Sequence, residues 1–148
     1  MKACVSFLLL FILFTKSYSQ AGNQIRETDS LVKLISTRQN LALKAINDTA
    51  YLTYPNGDPI MYHYYTLKCF YEKNNPEQLV KAKKERTTYY YYRNELVKVE
   101  DRTEKLVTFY FENGQLFFCN APGKSADLLS KLHQAYGRKF LEKFLAKS

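Results

Sequence analysis

The sequence predicts an α+β domain, an antiparallel β-meander of about five or six strands flanked by an N-terminal and a C-terminal helix. Two observations carry that prediction. The first is a pattern that returns three times: Phe70-Tyr71-Glu72-Lys73-Asn74-Asn75-Pro76-Glu77-Gln78-Leu79-Val80, Tyr91-Tyr92-Arg93-Asn94-Glu95-Leu96-Val97, and Tyr110-Phe111-Glu112-Asn113-Gly114-Gln115-Leu116-Phe117. Each is an aromatic pair, a charged residue, an Asn-containing turn, a Glu or Gln, and then Leu followed by Val or Phe. Asn and Gly tolerate the positive φ of a two-residue hairpin, and the flanking residues suit a pleated surface, so each copy reads as a β-hairpin. The second observation is that amphipathic segments bracket this stretch.

The first nineteen residues read as an export signal. Lys2 precedes an apolar run over 5–14, and Ser17-Tyr18-Ser19 places small residues at −3 and −1, so cleavage is expected before Gln20. That run is shorter than the ~20 residues of a membrane span. The expected product is a single domain over 20–148, periplasmic or secreted, with no transmembrane segment.

The N-terminal helix is predicted over 28–46, where Leu31, Leu34, Ile35, Leu41, Ala42, Ala45 and Ile46 recur at three- and four-residue steps; Asn47-Asp48-Thr49 would end it. A short strand over 50–54 follows, then the turn Pro55-Asn56-Gly57-Asp58-Pro59 and a long strand over 60–72. In that strand Met61, His63, Tyr65, Leu67, Cys69 and Tyr71 form the more apolar face and are expected to point into the core. Segment 78–86 reads as an exposed edge strand guarded by lysines, with a short helix capped by Asn75-Pro76 as the alternative. The two clearest hairpins come next. If partners keep one face across even turns, Thr88, Tyr90, Tyr92, Val97 and Val99 are core, as are Val107, Phe109, Phe111, Leu116 and Phe118. The last helix starts at a Ser125 cap and offers Leu128, Leu132, Tyr136, Phe140 and Phe144 at four-residue steps to the sheet.

Chemistry is sparse. His63 and His133 are the only histidines and stand in no ligand spacing, the five glycines form no phosphate loop, and no metal, cofactor or catalytic set is indicated. Cys69 and Cys119 survive processing. Strand parity sends them to opposite faces, which predicts two small buried thiols rather than a disulfide. The formal charge of +8 falls to +6 once Lys2 and Lys16 are removed, a surplus that does not by itself call for nucleic acid.

What stands out is tyrosine. The chain has 13, four of them consecutive at Tyr89 to Tyr92. By parity, Tyr62, Tyr64, Lys68, Tyr89, Tyr91, Lys98 and Tyr110 share the face opposite the core, and they are the candidate ligand-binding set, suited to stacking on a glycan or an envelope peptide or protein. The alternative that a helix covers this face stays open. So do a small envelope hydrolase or enzyme inhibitor using His63 with a carboxylate from a neighbouring turn, and anionic-polymer binding through the 81–86 run and the last helix. The Tyr110-Phe111-Glu112-Asn113-Gly114-Gln115-Leu116 hairpin resembles those of MORN-type repeats and of small exported bacterial proteins. That resemblance covers about 50–120 and implies a binding or scaffolding module rather than an enzyme.

Overall fold

The computed structural model describes residues 20–53, 59–121 and 124–146, with side chains for 20–50, 63–121 and 126–146. The expected export signal over 1–19, the expected 55–58 turn, and the side chains of Tyr62 and Ser125 lie outside the described residues. Helix α1 covers 20–36. Seven strands follow: β1 (Leu41–Thr53), β2 (Pro59–Glu72), β3 (Asn75–Lys84), β4 (Thr87–Tyr92), β5 (Glu95–Asp101), β6 (Val107–Glu112) and β7 (Gln115–Cys119), before helix α2 (Lys124–Leu145). The strands form one antiparallel sheet in sequence order, so each neighbour in the chain is a neighbour in space. The predicted meander is present, with seven strands rather than five or six.

The first strand is longer than expected: the predicted 50–54 strand extends back through the segment expected to be helical. Thr37 donates its hydroxyl to Lys33 O at 3.0 Å, and the chain leaves the helix there. From Leu41 onward it pairs with β2 along its whole length, Leu41 opposite Glu72 through Tyr51 opposite Tyr62. Four-residue steps are shared by the helical and the strand period, so Ala42 and Ile46 satisfy both, and pairing with β2 decides between them. Asn47-Asp48-Thr49 therefore lies within a strand and terminates nothing. Segment 78–86 is a strand, but an interior one, with Leu79, Val80 and Ala82 buried.

Turn chemistry follows the sequence closely. Arg93 and Asn94 have φ of 52° and 63°, and Asn113 and Gly114 have 50° and 73°, the double positive φ of a type I′ hairpin. Each repeat also carries a β-bulge just after its Leu. Tyr71 opposes Leu79 while Phe70 opposes Lys81, which leaves Val80 extra; Val97 and Phe117 are the extra residues in the next two copies. The recurrent Leu-Val or Leu-Phe pair is thus a ladder residue followed by a bulged one.

Those bulges overturn part of the parity assignment for the later strands: Val99, Val107, Phe109 and Phe111 face the core as expected, while Thr88, Tyr90, Tyr92 and Phe118 do not. Tyr89 opposes Val99 and Phe109 opposes Cys119, so one face carries Tyr65, Leu67, Cys69, Ala82, Tyr89, Tyr91, Val99, Phe109 and Phe111. Tyr90, Lys98, Tyr110 and Phe118 form a row on the other. Cys69 and Cys119 consequently share a face. Both are free thiols, five strand spacings apart (β2 to β7), or about 24 Å at ~4.8 Å per strand. That separation, not opposite facing, keeps them unbonded.

Each face has its own helix. On the core face Phe140 and Phe144 of α2 are 0% and 1% exposed, and burying a side chain of this kind stabilises by about 1.5–3 kcal/mol. The buried stripe of α2 runs through Ser130, His133, Phe140 and Phe144, whereas Leu128 and Leu132 are exposed. At 3.6 residues per turn, a four-residue row drifts about 40° per step, so Leu128 ends far round the helix from Phe144. On the opposite face, α1 buries Val32 and Ile35.

Candidate functional site

Under α2 the tyrosines are structural. Tyr89 and Tyr91 are 2% and 1% exposed. Tyr91 donates its hydroxyl to Gly137 O at 2.9 Å, and the ring of Tyr89 packs edge-on against Phe140 with centroids 5.0 Å apart. Tyr89 Oη also lies 3.2 Å from His133 Nδ1, while His133 Nε2 approaches Asp101 Oδ2 at 3.3 Å without hydrogen-bond geometry. Burial lowers the His133 pKa, opposed by Asp101. Burial pushes the Tyr89 and Tyr91 hydroxyls up, so both stay neutral. Nothing here is open to a ligand.

Under α1, Lys98 and Tyr110 are equally enclosed. Lys98 Nζ lies 2.8 Å from Asp29 Oδ1 and 3.0 Å from Glu100 Oε1, and Tyr110 donates to the same Asp29 at 2.9 Å. Burial alone would lower the Lys98 pKa, but these two carboxylates outweigh it and hold the ammonium charged well above its ordinary value. Asp29 is therefore the polar tie between α1 and the sheet. Its pairing across 69 residues of sequence left no local signal by which it might have been found.

Of the seven candidates, Tyr89, Tyr91, Lys98 and Tyr110 leave the open surface for these reasons. Tyr62 has no described side chain, and Tyr64 and Lys68 remain. These two lie on the α1 face of β2, beyond the reach of α1, and Tyr64 is 76% exposed. Around them are Leu43, Ala45 and Asn47 of β1, all exposed, with Phe70 of β2 and Lys81 and Lys83 of β3. Lys68 stands directly opposite Lys83, and Phe70 opposite Lys81, whose ammonium sits 4.3 Å from the Phe70 ring centre. Burial lowers the Lys81 pKa, and the charge of Lys83 lowers it further. Thr66 donates to Asn47 at 3.1 Å within the same surface. Alternation along β2 also puts Phe70 on this face, and Lys81 and Lys83 belong to the 81–86 run offered as an anionic-polymer site; their facing with Phe70 and Lys68 has no sequence signal, because it depends on the third strand being interior and on its register.

A groove of about 280 Å³ adjoins this surface, lined by Lys83, Glu85, Arg86, Thr88, Tyr90, Glu100 and Arg102. On the opposite sheet face, His63 Nε2 lies 2.5 Å from Glu85 Oε1 in the β3–β4 turn, and both side chains are more than half exposed. Glu85 takes φ of 51°, an uncommon conformation for a residue with a side chain. Among the described residues, no group of three or more His, Cys, Asp or Glu is placed to hold a metal ion. No helix among them is long and apolar enough to cross a membrane.

Comparison with protein families, with characterised proteins and with solved structures finds no match to this chain. The site's own chemistry carries the functional argument.

Proposed function

We propose that the protein is an exported, non-catalytic binding or scaffolding domain of the cell envelope, and that its contact surface is the uncovered part of the α1 face on β1–β3. The observation that carries this reading is the asymmetry of cover. Helix α2 reaches across the core face to Asp48 of β1, α1 is tied to β5 and β6 through Asp29, and the α1 face of β1–β3 keeps Tyr64 76% and Leu43 57% exposed beside Lys68 and Lys83. A flat strip of rings and lysines suits a glycan strand or an extended peptide, gripped by stacking and charge rather than enclosed in a cavity. The hairpin repeat shared with MORN-type modules supports a scaffold role. Titration calorimetry with peptidoglycan-derived muropeptides, acidic oligosaccharides and envelope peptides tests it. One class should bind, and Tyr64→Ala should weaken that binding about five- to tenfold, consistent with about 1–1.4 kcal/mol for a stacking ring. Binding by none of the three, or binding indifferent to Tyr64, would remove the proposal.

A second reading, a small envelope hydrolase, has the His63–Glu85 pair behind it. A carboxylate at 2.5 Å orients an imidazole for proton transfer. Ester or glycoside hydrolysis that disappears in both His63→Ala and Glu85→Gln would establish it, whereas an inactive parent protein would end it.

A further inference from the structure

We infer that the Lys68–Lys83 cross-strand pair is an oxyanion subsite that takes a phosphate or sulfate ester carried by the bound ligand. The inference deepens, and rests on, the reading of this strip as the contact surface. Its first ground is the pairing. Residues directly opposite in an antiparallel ladder hold their Cβ atoms about 4.5–5.5 Å apart, and like charges so placed destabilise the sheet. Lys81, two residues from Lys83 on the same face, adds a third positive charge.

The second ground is what the fold does elsewhere. Lys98 lies on the same face of the same sheet, and there the structure supplies two carboxylates, Asp29 and Glu100. At Lys68, Lys81 and Lys83 it supplies no carboxylate within ion-pair distance among the described residues. The alternating positions 43–49, 64–70 and 81–83 of this face hold no Asp or Glu, and the two carboxylates of the adjoining groove are engaged elsewhere, Glu85 with His63 and Glu100 with Lys98 and Arg102. A surface lysine is ordinarily solvated and surrounded by mixed charge; three on one face of adjacent strands, none of them ion-paired among the described residues, repel one another, and an anion placed between them relieves that repulsion. Two ammonium groups that can meet on one doubly charged oxyanion make charge-assisted hydrogen bonds, which are about twice as strong as neutral ones.

The third ground is the neighbouring ring. Phe70 stands two ladder positions from the Lys68–Lys83 pair, with the Lys81 ammonium 4.3 Å from its ring centre. An ester group between the lysines would bring the rest of its ligand beside Lys81 and Phe70. Free phosphate and sulfate carry the same charge chemistry without the ring, so they probe the subsite alone.

The test is thermal melting and calorimetry of the protein with inorganic phosphate and, separately, sulfate, against sodium chloride at matched ionic strength. Matching removes the generic screening that any basic surface shows. Saturable binding of either oxyanion is expected, with Lys68→Ala and Lys83→Ala each weakening it at least tenfold. Lys73→Ala, an exposed lysine in the β2–β3 turn, should change it less than twofold. Without added oxyanion at low salt, Lys68→Ala should melt no lower than the parent, because a repulsion has been removed. Saturation by phosphate alone would assign the subsite to phosphate esters, and saturation by both would include sulfate esters. No advantage of either oxyanion over chloride, or an equal loss in Lys73→Ala, overturns the subsite. If an envelope fragment binds through Tyr64 while neither oxyanion does, only the subsite falls. If an oxyanion saturates and no fragment binds, the broader reading falls and the subsite stands.

Discussion

Single residues carry the polar ties between the helices and the sheet, and they set how the protein responds to pH. His133 is 5% exposed and burial holds its pKa below the ordinary value, despite Asp101 nearby. A depressed histidine binds its proton more readily in the unfolded chain. The stability it contributes is therefore fully present above the unfolded pKa of about 6.5 and is lost as pH falls through the folded value. Melting temperatures should drop between pH 7 and 5, and the drop should shrink in His133→Phe; an unchanged slope in that variant would show that another group titrates. The carboxylates of Glu100 and Asp101, both held below their usual range against the opposing effect of burial, act only at more acid pH. Removing Asp29 leaves Lys98 with Glu100 alone. Asp29→Ala should cost about 1–2 kcal/mol in urea unfolding, less than the 3–5 of a fully buried pair because the Asp29 side chain is 46% exposed. Cys69 is fully buried, and burial raises its thiol to about 11, so maleimide should leave it unlabelled until the protein unfolds.

At the scale of elements, the turns were readable in the sequence and the bulges were not. Asn113-Gly114 and Arg93-Asn94 announce tight hairpins because few residues accept positive φ at low cost, and the backbone takes that form at both. The bulged Val80, Val97 and Phe117 look like any other apolar strand residue, yet each shifts the count by one. This is why simple parity puts Tyr89 and Tyr91 on an open face, whereas they lie buried beneath α2. The 41–46 stretch shows the other limit, since Ala42 and Ile46 fit both periods and only a partner strand distinguishes them. The apolar face of β2 needed no such help: Tyr65, Leu67 and Cys69 alternate with exposed Tyr64, Thr66 and Lys68 as simple parity requires. Helix α2 holds the sheet through a close approach at Gly137, where an added Cβ would meet Leu96 Cδ2 at 2.7 Å. Gly137→Val should therefore cost about 1–3 kcal/mol, whereas Phe140→Ala should cost about 3–5 through the cavity it leaves. Both are measurable by denaturant unfolding, and a neutral Phe140→Ala would mean that α2 is not packed as described.

The whole molecule is a sheet whose two faces are covered by different helices over different strands, which leaves one strip of β1–β3 bare. Little of that strip could be read from the sequence, because it exists only where α1 stops, and α1 ends ten residues earlier than its apolar spacing suggested. Tyr64 and Lys68 could be placed there from alternation alone. Lys83 and its facing with Lys68 required the register. The central claim is that this strip, and not the buried tyrosines, meets the partner. The most direct measurement is amide and side-chain chemical-shift mapping of the labelled protein during titration with whichever envelope fragment binds by calorimetry. The account predicts saturating shifts confined to Leu43–Asn47, Tyr64–Phe70 and Lys81–Lys83, with the Tyr89 and Tyr91 signals unmoved. Shifts centred on α2 or on the His63–Glu85 pair, with the β1–β3 strip silent, would contradict it.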